Sequence, residues 1–187
     1  MTVISDTTPV ISLIKISRLD LLEKLFGEVL VPETVLRELT TNTAFKKEAE
    51  IVQSSSFIKT SSIQNRKSLE ILRAASGLDD GESEAIILAD ELQSDVLIID
   101  ERRGRKVAQN LGITITGTVG ILVQAHSENM ISEEEVKICF EHLKNSGIRL
   151  RDSLIQDALS IMQKKKLSKP KSSLRQARPP WGWATVE

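Results

Sequence analysis

GESEAIILADELQSDVLIIDERRGRKVA, residues Gly81 to Ala108, reads as a helix, a strand and a second helix in close succession. Val96, Leu97, Ile98 and Ile99 form an unbroken apolar run. Such a run needs cover on both faces, which the helices of a parallel α/β sheet supply. Asp100 ends the run, at the carboxyl edge where open α/β sheets place their sites. The helix before it runs antiparallel to the strand, so its first turn, with Glu82, comes to the same edge. Glu82 shares a helical face with Ala85, Ile86 and Ala89, the face that covers the sheet. Glu84 lies about 200° away, at roughly 100° per residue, and is expected in solvent. Two readings of Glu82 and Asp100 stand open: a first-turn acid and a turn former, or half of a metal site.

Upstream, Val3-Ile4-Ser5 reads as a buried strand stopped at Asp6, and Thr7-Thr8-Pro9 as a hydroxyl cap followed by proline at the first helical position. A helix then runs to Phe26, in two pieces around Ser17-Arg18, and Gly27 ends it. Glu28 to Val31 is a second strand, and Pro32-Glu33 opens a helix. Residues 40–55 are polar and read as helix then loop; Phe57-Ile58 is a weak third strand. Arg66 to Ala75 reads as helix, broken by Gly77 to Gly81. Downstream, Ile113-Thr114-Ile115 is a fifth strand, and Thr118 caps a helix through Ser127. Helices over 133–145 and 151–164 follow, separated by Gly147. Five short strands alternating with helices predict a three-layer α/β/α fold with a short, mostly parallel sheet. Residues 1–164 form the expected domain. Residues 165–187, rich in Lys, Ser and Pro and holding both Trp181 and Trp183, read as a basic, disordered tail.

The chain has 187 residues, enough to bury a full core. Aromatics make up 3% and Tyr is absent, so that core relies on Leu, Ile, Val and Ala. A single cysteine, Cys139, cannot form an internal disulfide, which suits a reducing, cytoplasmic setting. No charged-then-apolar leader and no apolar run of about 18 residues is seen, which speaks against secretion and membrane spanning. The net charge of −1 hides an asymmetry. From Met162 onward stand seven Lys/Arg against one acid; residues 1–161 carry 18 bases against 25 acids. An acidic domain can still act on nucleic acid when cations neutralise its site.

Asp6 and Asp100 each end an apolar strand, and strands that flank a reversal of winding present their ends side by side. Glu38 follows Pro32 by six residues, about 9 Å down the helix axis at ~1.5 Å per residue. It reaches the same edge only if its helix leans across, and on spacing alone it reads as a surface acid. Glu33, Asp79 and Asp80 read as capping or loop acids. Carboxylates that converge repel one another unless a cation lies between them. Oxygen ligands without a His or Cys cluster favour Mg²⁺ or Mn²⁺ over zinc. His126, His142 and Cys139 fall on separate helices and read as core or surface residues. Gly117-Thr118-Val119-Gly120 is no dinucleotide fingerprint, and there is no phosphate-cradling lysine loop. A carboxylate-held divalent ion suits phosphoryl chemistry. Arg102, Arg103, Arg105 and Lys106 read either as a solvated helix face or as contacts for a nucleic-acid backbone.

VISDTTPVISLIKI, VLVPETVLREL, GESEAIILA and VLIIDERRGRKVAQNLGITITGTVGIL together resemble the PIN-domain nucleases. They are most similar to short prokaryotic PIN proteins akin to the VapC toxins, over about residues 2–160 and in the family's order. The resemblance implies a divalent-metal-dependent endoribonuclease, the toxin of a type II toxin–antitoxin pair. It implies that Asp6, Glu38, Glu82 and Asp100 are the catalytic acids and hold one or two Mg²⁺ or Mn²⁺ ions. Thr7 and Thr116 fall where the family often places a hydroxyl near the metals; with Arg102, Arg103 and Arg105 they make the expected substrate-binding set. Glu82 stands where the family usually has Asp, and DERRGR departs from the toxins' commoner T-x-D-x-x-F ending. The implied partners are RNA, an antitoxin covering the acidic pocket, and a second copy of the chain. The rival readings are a degenerate PIN domain that binds RNA or protein without cutting, an α/β regulatory module whose acids are merely caps, and a DNA or flap nuclease.

Overall fold

The five short strands all pair in parallel, and every crossover carries helix. A computed structural model describes residues 1–41 and 46–168. The order is β1 (Val3–Ser5), α1 (Thr7–Lys15), α2 (Asp20–Phe26), β2 (Val29–Pro32), α3 (Glu33–Thr41), α4 (Lys46–Ser54), β3 (Ile58–Ser61), α5 (Arg66–Ser76), α6 (Asp80–Glu91), β4 (Val96–Ile98), α7 (Arg102–Asn110), β5 (Ile115–Thr116), α8 (Thr118–Ser127), α9 (Glu133–Asn145) and α10 (Asp152–Ser168). The sheet order is β3-β2-β1-β4-β5, with every pair parallel. The fold is three-layer α/β/α, as expected.

The chain winds from β1 outward through β2 to β3, then returns to the other side of β1 for β4 and β5. Winding therefore reverses between β1 and β4, whose carboxyl ends lie together, with Ser5 opposite Ile98. In such sheets the crevice beyond that reversal is where ligands bind.

The chain divides into two units, Met1–Thr118 and Val119 onward. In the first, Ile4 and Leu97 of the central strands, with Ile99 just past β4, meet Ala85, Ile86, Leu88 and Ala89 of α6 in one core. Each large aliphatic side chain fully buried there contributes about 1.5–3 kcal/mol. The alanines keep α6 close to the sheet, because they add little bulk between helix and strand. In the second unit α9 opens on a capping box: Ser132 Oγ accepts from Glu135 N at 3.1 Å, and Glu135 Oε2 accepts from Ser132 N at 2.7 Å. His126 Nδ1 lies 3.1 Å from the Ile131 carbonyl and Cys139 is buried, in keeping with their reading as core or surface residues.

Four local expectations need correction. Residues 46–54 are helical rather than loop. Only Ala49 and Val52 are buried on α4, too narrow a stripe to show as periodicity. The cap of α1 is Asp6, in extended backbone, rather than a threonine. Pro9 is accommodated because the first-turn amides lack intrahelical partners anyway. Glu84 does not point freely to solvent; it accepts from Thr34 N at 3.2 Å and lies 3.6 Å from Arg73 Nη2. The final helix continues to Ser168, past Lys164; Lys and Leu are good helix formers, so the loss of apolar pattern does not end it. The tail expectation for residues 169–187 lies outside the described residues. Among the described residues, no helix is long and apolar enough to cross a membrane.

Candidate active site

Asp6 follows β1 directly, and its amide donates to the Ile98 carbonyl at 3.0 Å, which ties it to the end of β4. It is 3% exposed. Burial pushes its carboxyl up to about 7; the charges of Glu82, Asp79 and Glu38 add to that, and the Thr7 amide opposes it. A carboxyl so placed gains from any cation that replaces the water it has lost.

Glu38 reaches the same edge because α3 lies against both α1 and α6. Thr7 Oγ1 donates to Glu38 Oε2 at 2.5 Å. Gly81, in the first turn of α6, makes room for it: a Cβ there would stand 2.9 and 3.0 Å from the two carboxylate oxygens. Burial raises the Glu38 carboxyl; the Thr7 hydroxyl and Arg37 oppose the shift, while Asp79 and Asp80 add to it.

Glu82 lies on the sheet-facing side of α6, as its spacing implies, and is 7% exposed. It is also a cap. Glu82 N donates to Asp79 Oδ1 at 2.8 Å, and Asp79 N donates to Glu82 Oε2 at 3.2 Å, closing a capping box. The two readings of Glu82 are thus compatible: the cap fixes one oxygen and thereby orients the side chain. Burial raises this carboxyl, Asp79 and Glu101 raise it further, and the Asp79 amide and Arg103 pull it down.

Asp100 is gripped by one residue through two donors. Thr118 N donates to Oδ1 at 2.8 Å and Thr118 Oγ1 to Oδ2 at 2.5 Å. Arg105 Nη1 donates to the Ile99 carbonyl at 2.9 Å and brings its positive charge beside the carboxylate. Burial still raises the Asp100 carboxyl, against the pull of Thr118 and Arg105.

The structure thus brings Asp6, Glu38 and Glu82 into one electrostatic neighbourhood and sets Asp100 at the adjoining strand end. Thr7 joins that neighbourhood through Glu38. Thr116 is buried in β5, and Arg105 turns inward, whereas Arg102 and Arg103 are exposed on α7. Two residues gain weight beyond their sequence reading. Asp79 is a cap, as expected, and its charge also acts on Asp6, Glu38 and Glu82. Thr118 is, by its sequence, only a helix cap; nothing in local sequence marks its reach to Asp100.

The donor chemistry suits a hard divalent cation: buried carboxylates, raised by desolvation and mutual repulsion, supply oxygen ligands alone. Among the described residues no three His, Cys, Asp or Glu side chains stand together as a ready-made metal nest. Internal bonds from Thr7, Asp79 and Thr118 hold Glu38, Glu82 and Asp100 instead.

No curated protein and no solved structure gave a match to the chain. A model of the family DUF3368, described as a PIN domain, matches residues 2–164. The chain therefore belongs to the PIN-domain family, whose fold is of the nuclease type.

Proposed function

We propose that the protein is a divalent-metal-dependent endoribonuclease, acting as the toxin of a type II toxin–antitoxin pair in the cytoplasm. The observation that carries the reading is Asp6, a carboxyl buried at the winding reversal, raised to about 7 and neighboured by Glu82 and Glu38. Asp6, Glu38, Glu82 and Asp100 would hold Mg²⁺ or Mn²⁺. When bound, such an ion stabilises the charge that develops on a phosphodiester and makes water a better nucleophile. Thr7 keeps the Glu38 carboxylate aimed inward, and Asp79 does the same for Glu82. Arg102 and Arg103, exposed beside Asp100, suit the backbone phosphates of RNA. Arg105 and Thr116, set deeper, support the Asp100 end of the site. The partners in this reading are RNA, an antitoxin that covers the acidic edge, and a second copy of the chain.

The test is cleavage of a mixed-sequence RNA by purified protein in Mn²⁺, against EDTA and against Asp100→Asn. Cutting that requires both the ion and Asp100 supports the nuclease; a folded protein that leaves RNA intact and binds no Mn²⁺ by calorimetry refutes it. A second reading, a PIN domain that binds RNA or protein without cutting, draws on the internal bonds that occupy Glu38, Glu82 and Asp100. RNA binding that survives EDTA, with no cleavage, favours it.

A further inference from the structure

We infer that Thr118 is a positioning residue for Asp100, an inference that rests on the proposed nuclease reading. Thr118 opens α8, where the first-turn amides have no partner within the helix. Asp100, from the end of a different strand and 18 residues earlier, takes that amide on Oδ1 while the Thr118 hydroxyl takes Oδ2. The carboxylate is thus held at both oxygens and cannot pivot. Thr118 is itself 2% exposed, so close packing keeps its hydroxyl against Asp100.

The surroundings enforce the same placement. A Cβ on Gly117 would stand 2.5 Å from Asp100 Oδ1, 3.1 Å from Arg105 Nη1 and 3.3 Å from the Ile99 carbonyl oxygen. Only glycine lets the β5–α8 turn come this close. Arg105, bonded to that same carbonyl, offsets the charge of Asp100 from the other side. An ionised carboxylate offers about four acceptor positions, so two bonds to Thr118 do not exhaust it. The clamp therefore orients Asp100 without using it up. Groups that orient a ligand in this way are typically worth about 10–100-fold in metal affinity or activity.

Thr118→Val removes the hydroxyl and keeps shape and amide; Thr118→Ser keeps both donors. The experiment measures Mn²⁺ affinity by calorimetry, kcat and KM on a mixed-sequence RNA, and melting temperature, for the full chain and both variants. The expected result is a loss of about 10–100-fold in Mn²⁺ affinity and in kcat for Thr118→Val, with KM nearly constant, and restoration to within about threefold by Thr118→Ser. Thr118→Val equal to the wild type overturns the inference, as does Thr118→Ser as impaired as Thr118→Val. If Thr118→Val fails to fold, Thr118→Ala takes its place in the same comparison. A wild type that neither binds Mn²⁺ nor cuts RNA overturns the nuclease reading itself, and this inference with it.

Discussion

Two helices open with the same device and put it to different use. At α6 the box is Asp79 with Glu82; at α9 it is Ser132 with Glu135. Both glutamates return a bond to the capping residue's amide. Glu135 stays exposed, and its box does what such motifs do in general, satisfying amides that would otherwise lack partners. Glu82 is 7% exposed, and burial, with the charges of Asp79 and Glu101, pushes its carboxyl up. A local motif fixes where a side chain points; the tertiary setting decides whether that direction matters. At α9 the cap is the end of the matter, and at α6 it holds an acid within electrostatic reach of Asp6.

The sharpest way to break that contrast is to neutralise both glutamates. Gln serves a capping box as Glu does, so Glu82→Gln keeps the cap and removes the charge. RNA cleavage is expected to fall at least about a thousandfold, the scale of several kcal/mol of lost charge stabilisation, with no lower melting temperature. Glu135→Gln should cut at the wild-type rate. Equal cleavage by the two variants would erase the distinction.

Next in size is the pH dependence of the metal-free protein. Asp6 is raised from 3.8 to about 7 in the fold, so between those values the native state binds the extra proton. Stability therefore falls as pH rises through this window, by an amount on the order of 4 kcal/mol, and the loss is complete above about 7. Urea unfolding at pH 5 and pH 8 should show the decline, and Asp6→Asn should flatten it; the raised carboxyls of Glu38, Glu82 and Asp100 leave a residue of slope in the same direction. A steeper decline in Asp6→Asn than in the wild type would contradict the assignment.

Gly81→Ala probes the acidic edge more gently. The new Cβ would stand 2.9 Å from Glu38 Oε2, an atom at the end of a flexible side chain. The fold can yield there, and alanine reduces the freedom of the unfolded chain, so stability should hold or rise by up to about 1 kcal/mol. Glu38 must move, and a displacement of this kind is expected to lower kcat by about 10–100-fold. Full activity with an unchanged melting curve would show that the placement of Glu38 is unimportant.

The smallest effect belongs to the other box. Ser132→Ala should lose about 1 kcal/mol, or roughly 2–4 °C in melting temperature for a domain of this size, and leave cleavage intact. A matching loss of cleavage would tie α9 to the chemistry and overturn the view of it as a cap alone.

The sequence was most informative where apolar runs meet breakers. Val3–Ser5 and Val96–Ile98 could be read as strands ending on acids, and the face of α6 that carries Glu82 followed from its spacing to Ala85, Ile86 and Ala89. Glu38 could not be placed by spacing, because its position depends on how α3 lies against α1 and α6; resemblance to a family singled it out. Thr118 and Glu84 were hidden for a related reason. Their partners, Asp100 and Thr34, are 18 and 50 residues away, and no periodicity reports a bond across such a gap. Helix α4 escaped because so little of it is buried.

The pairing of β1 with β4 has a consequence for the timing of synthesis. Thr2 N bonds to Asp95 Oδ2, a partner 93 residues further along the chain, and Ser5 stands opposite Ile98. When a ribosome has released Asp6 and Glu38, the strand that completes their crevice has yet to be made. Asp100 arrives later still, and the residue that grips it, Thr118, last of all. Until synthesis has passed Thr118, the nascent chain cannot hold all four acids in this arrangement. The acidic edge is therefore incomplete until the sheet closes β4 against β1.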